Sequence, residues 1–161
     1  MYDVVVVGAS FAGLAVASQL KGRVLLMDHQ PVGAGQTSAC VTPLAVAQAW
    51  GCQEAILQVH HTFSIHTASR TFRYPLYYPF CAFGYARFCQ TMALGLKVDF
   101  VQAVATGMEG DAVVTDRGSY PGRIIVDATG WRATLARSRH PGFSAGAMNF
   151  GLETELSYRK E

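Results

Sequence analysis

Gly8, Ser10 and Gly13 lie in the run "VVVVGASFAGLA" (residues 4–15), and Asp28 follows twenty residues after Gly8. Residues of these types at this spacing could cradle a diphosphate between a strand and a helix. In the G-x-G-x-x-G pattern the first glycine permits the tight turn and the second lets the backbone approach the pyrophosphate. The third lets helix and strand pack closely. Gly8 and Gly13 hold the first and third places, and Ser10 holds the second. Serine adds a Cβ where space is tightest, yet its hydroxyl can donate to a phosphate oxygen. Amides at the helix start, with the positive end of the helix dipole, would hold the anion. Asp28 ends the next apolar run, where an acid is placed to accept hydrogen bonds from a ribose hydroxyl and disfavours a 2′-phosphate. This site therefore speaks against NADP and leaves NAD and FAD.

Other chemistry-bearing residues form no comparable group. Cys40, Cys52, Cys81 and Cys89 contain no C-x-x-C, so neither a zinc knuckle nor a redox pair is indicated. In an extended segment His60 and His66 share a face but lie roughly 20 Å apart at about 3.3 Å per residue, while His61 points the other way. They cannot chelate one ion together. No grouping of nucleophile and base can be argued, because nothing places one beside the other.

The elements that must position the turn are legible in outline. Asp3 to Val7 reads as a central parallel strand, Ala12 to Lys21 as a helix and Arg23 to Asp28 as a second buried strand, which together make a βαβ unit. Residues 29–40 have the Gly, Pro and Ser content of a loop, and Pro43 to Trp50 reads as a helix. Val59 to Thr67 alternates and is followed by "RTFRY", a hairpin pattern. "YPLYYPF" (residues 74–80) reads as an aromatic crossing interrupted by prolines. Tyr85, Phe88, Cys89, Met92 and Ala93 fall at i, i+3, i+4, i+7 and i+8, one face of a helix. Short strands are predicted at Ala103 to Met108 and Ala112 to Asp116, and a buried one at Arg123 to Ala128. A last alternating stretch, Met148 to Leu156, also reads as a strand.

Composition narrows the partners. The chain has 161 residues, enough for one domain with a core, and 15% of them are charged against a usual share of about 25%. Net charge is +2 with no basic run, which disfavours nucleic acid. The apolar segment Val4 to Ala17 is shorter than the roughly 18 residues a membrane span requires. Asp3 stands where a secretory leader would carry Lys or Arg, which points to an intracellular protein. The aromatic group Phe72, Tyr74, Tyr77, Tyr78, Phe80 and Phe83 could line an apolar channel or pack in a core.

"YDVVVVGASFAGLAVASQL…VLLMD", "GQTSAC" and "VDATGW" together resemble the N-terminal part of FAD-dependent oxidoreductases of the geranylgeranyl reductase and para-hydroxybenzoate hydroxylase superfamily. The resemblance implies an α/β fold: a Rossmann-like FAD-binding domain of the glutathione-reductase type, with a β-meander between Val98 and Asp116 and the start of a substrate domain. It implies FAD held by Gly8, Ser10, Phe11, Ala12, Gly13, Asp28, His29, Gln36, Thr37, Ser38, Val104, Ala128, Thr129 and Gly130. The last three lie near the adenine end. Cys40, in "GQTSAC", becomes a candidate active-site residue or else a buried thiol. Tyr85 stands where the family commonly has an arginine.

The family's Gly-Asp flavin motif is not among these residues, and "NFGLETEL" resembles the first strand of the substrate domain. The chain is thus expected to be one incomplete FAD-binding domain (residues 1–161), with a hairpin excursion at 55–80 and a truncated substrate domain at 147–161. The rest would follow in a longer protein or come from a second chain. The implied activity is flavin-to-substrate hydride or electron transfer, with an apolar substrate and an unidentified electron donor. Reduction of an isoprenoid-type double bond leads; a flavin-dependent monooxygenase or halogenase is the alternative, and a non-catalytic fragment is a third reading. A cytoplasmic protein, or one peripheral to a membrane, is expected.

Overall fold

In the computed structural model, which describes residues 1–36, 39–140 and 142–143, a six-stranded sheet organises the chain. Strand β1 (Tyr2–Val7) lies at its middle, flanked by β2 (Val24–Asp28) and by β9 (Gly118–Asp127), both parallel to it. Val4 to Val7 are all buried, as a strand covered on both faces requires. β2 pairs in turn with β6 (Asp99–Gln102), also parallel. On the far side β9 pairs antiparallel with β8 (Ala112–Thr115), which pairs with β7 (Ala105–Glu109). The order is β6-β2-β1-β9-β8-β7.

Alternation along the strands divides the core in two. Val4, Val6 and Leu26 face helices α1 (Phe11–Gln19), α2 (Leu44–Ala49) and α3 (Tyr85–Ala93), meeting Leu14, Ala17, Phe88 and Met92. Val5, Val7, Leu25 and Met27 face the opposite way, onto Val113 of β8 and Leu135 of α4 (Thr134–Arg139). Fully buried leucines such as Leu14 and Leu25 each stabilise such a core by about 2–5 kcal/mol relative to alanine.

The βαβ opening and the amphipathic helix at Tyr85 stand as the pattern predicts, and the helix buries Tyr85, Phe88, Cys89 and Met92. Three expectations are corrected. The segment after Val98 does not open the meander: β6 extends the parallel sheet beside β2, because its register Leu25↔Asp99 to Asp28↔Gln102 carries it alongside the β2 edge. The meander is β7, β8 and the first half of β9. Residues 74–80 are no crossing either, but part of strand β5 (Thr71–Phe83), paired with β4 (Ile56–His66). Their prolines act as a local break: pairing jumps from Thr62↔Pro75 to His60↔Phe80, so residues 76–79 lie opposite His61 alone. The hairpin, with the short β3 (Val41–Pro43) on its other side, forms a separate three-stranded sheet. Finally, the helix predicted from Pro43 begins only at Leu44, because Pro43 still pairs with Phe80. The strand predicted at Met148 to Leu156, and with it the start of a substrate domain, lies outside the described residues.

Gly122 marks where β9 leaves β8 and joins β1. A Cβ there would meet Val5 Cγ2 at 2.7 Å. Gly122→Val is expected to destabilise the fold by about 1–3 kcal/mol through overpacking, read from the urea unfolding midpoint. An unchanged midpoint would mean that β9 does not press on β1 here.

Candidate functional site

The carboxyl ends of β1, β2 and β9 converge on one edge of the sheet, where the chain leaves β1 for α1 on one side and the returning β9 enters on the other. In open α/β sheets this crevice is where ligands bind. Its geometry depends on two glycines. A Cβ on Gly8 (φ +110°) would lie 2.2 Å from Ala128 O, and one on Gly13 would lie 1.7 Å from Gly8 O. Both contacts are with backbone, which cannot swing aside. The first and third glycines of the pattern are therefore required by the packing itself.

Asp28 faces the turn. Its Oδ2 accepts from the Ala9 amide at 2.7 Å, and its Oδ1 accepts from the Gln30 amide at 3.0 Å. His29 Nδ1 lies 2.8 Å from the same Oδ1 and is half-exposed. The acid thus links the end of β2 to the Gly8–Gly13 turn and is itself part-buried. Next to it, Val104 is exposed and its amide donates to Asp116 Oδ1 at 2.8 Å; the neighbouring Ala103 amide donates to Asp28 O.

Ser10 is the N-cap residue of α1, yet its hydroxyl caps no amide of that helix. Its Oγ instead accepts from the Tyr85 hydroxyl at 3.0 Å. Phe11 anchors the turn from the other side, its ring edge-on to Phe83, Tyr85 and Phe88 at 5.7, 5.2 and 5.5 Å. Ala12 is exposed at the helix start.

Asp127, the last residue of β9, was not singled out by sequence reasoning. Its Oδ1 accepts from the Thr129 amide (3.1 Å) and hydroxyl (2.6 Å), and its Oδ2 from the amides of Leu135 and Ala136, both at 2.9 Å. Thr129 Oγ1 also accepts from the Thr134 amide at 2.9 Å. Asp127 and Thr129 together hold the Ala128–Gly130 turn against Gly8 and against α4. The hydroxyl of Thr129 is spent on this work, so what the turn offers a ligand is backbone. The available signal was an acid at a strand end seven residues before a helix start, where it can cap the exposed amides of the first turn.

Among the remaining predicted residues, Gln36 is exposed in the loop after β2, and Thr37 and Ser38 lie outside the described residues. Cys40 is only 3% exposed and sits in the core with Cys52, Cys81 and Cys89. All four are thiols, not disulfides. Burial raises the Cys52, Cys81 and Cys89 thiols, Cys89 to about 11, so they are neutral and poor nucleophiles. For Cys40 the geometry favours packing. No three His, Cys, Asp or Glu side chains among the described residues come together as a metal site. A cavity of about 370 Å³ opens beside α1, lined by Phe11, Val41, Trp50, Phe83, Met92 and neighbouring apolar groups, with Thr42 the polar exception. Phe11 joins it to the Gly8–Gly13 turn, whose glycines, like Asp28, do not line it. Among the described residues no helix is long and apolar enough to cross a membrane.

No family model matches the chain, and no curated protein does. Solved structures do. The flavin-dependent brominase Bmp2 superposes with a TM-score of 0.71 at 17% identity, over 86% of this chain and 40% of its own. The myxobacterial chondrochloren halogenase CndH, described as a variant of FAD-dependent halogenases, gives 0.68 at 18%, over 85% of this chain and 39% of its own. PqsL of P. aeruginosa, solved with 2-aminobenzoylacetate, gives 0.70 at 16%, over 92% of this chain and 48% of its own. The fold is the Rossmann-like one they share. This chain spans less than half the length of each.

The pH response of the Asp127 turn follows from its bonds. Burial pushes this carboxyl up, but the Thr129 hydroxyl and the amides of Ala136, Thr129 and Leu135 outweigh it and hold the group below its ordinary value. A carboxyl depressed in the folded state contributes stability above its unfolded pKa and loses it as pH falls through the folded one. In unfolding series between about pH 5 and pH 2, Asp127→Asn is expected to flatten the acid-side loss of stability and to lower stability at neutral pH. An unaltered acid limb would remove this role.

Proposed function

We propose that this chain is the FAD-binding part of a flavin-dependent enzyme that uses dioxygen, a monooxygenase or halogenase. The observation that carries the reading is the turn from Gly8 to Gly13, shut to any side chain at both glycines, with Asp28 bonded to the amide of its second residue. The residues present suit a dinucleotide. Gly8 and Gly13 bring backbone close, the first-turn amides of α1 carry no side-chain cap, and Asp28 is placed for a ribose. Fold likeness to a flavin-dependent brominase and to an FAD-dependent halogenase supports FAD as the dinucleotide and supports this reading over reduction of an isoprenoid double bond.

On this reading Asp28 orients the adenosine ribose, and His29 steadies Asp28. The backbone of Ala128 to Gly130 closes the crevice on the side of β9, and Val104 borders it beyond β2. FAD supplies the electron transfer and the reaction with dioxygen; the protein positions it and shapes what surrounds it. Substrate and electron donor are contributed from outside these residues.

The test has two readouts. FAD titrated into the protein should lose fluorescence and develop the flavin absorbance band, and Asp28→Asn should weaken binding about tenfold, the loss of one charge-assisted hydrogen bond. No saturable FAD binding would remove the cofactor assignment. Consumption of reduced nicotinamide that requires dioxygen supports the oxygen-using reading; consumption indifferent to dioxygen, with an isoprenoid double bond reduced, would replace it.

A further inference from the structure

We infer that Tyr85 is a positioning residue of the diphosphate turn: its hydroxyl donates to Ser10 Oγ and thereby aims the Ser10 hydroxyl hydrogen at a diphosphate oxygen. The inference rests on the dinucleotide reading above and assigns the donor that serine supplies where the pattern has glycine.

An N-cap serine ordinarily turns its oxygen inward to accept an amide of its own helix. Ser10 has the extended backbone of an N-cap (φ −92°, ψ −169°), but its side chain makes no such bond. It is engaged by Tyr85, 75 residues along the chain, at 3.0 Å. Tyr85 is only 8% exposed, is the first residue of α3 and has its ring edge-on to Phe11. The phenol oxygen is therefore held in place by packing. A serine hydroxyl carries one hydrogen and two lone pairs. With a lone pair taken by Tyr85, and no acceptor for its hydrogen among the described residues, the O–H is left for a ligand at a partly exposed position.

The group behind Tyr85 favours this direction. Cys89 is fully buried within hydrogen-bonding reach of the phenol, and burial drives its thiol up to about 11. It is neutral at working pH, and a neutral thiol is a weaker acceptor for the phenol hydrogen than the Ser10 oxygen. The hydroxyls of Tyr85 and Ser10 in series toward an anion are the arrangement in which one hydrogen bond polarises the next. The ligand it suits is an oxyanion at the turn. A second glycine would give that oxyanion only room; here Ser10 offers a donor, O–H to O⁻, of the stronger charge-assisted kind.

The test is a mutant cycle on FAD binding followed by flavin fluorescence, using wild type, Tyr85→Phe, Ser10→Ala and the double variant. Tyr85→Phe keeps the ring against Phe11 and removes only the hydroxyl. Each single change is expected to weaken FAD about three- to tenfold, and the double variant to be no weaker than Ser10→Ala, since coupled residues do not add. ADP should show the same losses and adenosine none, a distinction that a general loosening of the fold would not produce. Wild-type affinity in Tyr85→Phe, or losses that add, would overturn the role of Tyr85 while leaving the dinucleotide site intact. Failure of the wild-type protein to bind FAD or ADP would overturn both. Should Tyr85→Phe not fold, Ser10→Gly removes the same acceptor: weaker FAD binding supports the relay, and unchanged binding overturns it.

Discussion

Three pieces of backbone meet at the carboxyl ends of the central strands, closer together than any side chain would allow. Gly8 touches the carbonyl of Ala128, and Gly13 touches the carbonyl of Gly8. This double approach lets α1 lie down on β1 immediately after the turn, and it lets the end of β9 reach the same edge. The rest of the candidate site is built around that constraint. With a Cβ at either position the helix would lift away, the amides of its first turn would point elsewhere, and the crevice between β1 and β9 would be lost.

Two acids hold the ends of the flanking strands, and each does so by accepting hydrogen bonds from backbone amides. Asp28 closes β2 onto the Gly8–Gly13 turn through Ala9; Asp127 closes β9 onto α4 through Leu135 and Ala136. The two carboxylates sit on either side of β1 in equivalent places and take different work. Asp127 is occupied on both oxygens by four donors, so its part is to shape a turn. Asp28 has three partners on its two oxygens, one of them the half-exposed His29 side chain.

Away from this edge the chain carries much apolar surface. The hairpin β4–β5 exposes Phe63, Ile65, Phe72 and Tyr74 as cross-strand neighbours, and the break at its prolines projects Tyr77 and Tyr78, which are 89% and 67% exposed. Of the six aromatic residues that the sequence groups between Phe72 and Phe83, only Phe83 reaches the cavity beside α1. The four cysteines are likewise absorbed by the core. The carboxylates that order the backbone at the ends of β2 and β9 are Asp28 and Asp127.

How much was legible follows from the range of each interaction. The βαβ opening, the buried face of α3 and the strand ending in Asp127 are carried by periodicity and by glycine spacing within a few residues, which any reader of the chain has in view. Gly8, Gly13 and Asp28 are in the same class, because a strand, a turn and a helix in succession leave few places to put them. The sheet position of β6, the pairing jump opposite His61 and the bond from Tyr85 to Ser10 are of another kind. Each depends on which distant segment lies alongside, and side-chain pattern alone does not distinguish an edge of a parallel sheet from the start of a meander. The chain on its own thus determined the glycine turn from Gly8 to Gly13 and the core that carries it. Only the tertiary structure decided what Ser10 does there, because the tyrosine that holds it arrives from 75 residues away.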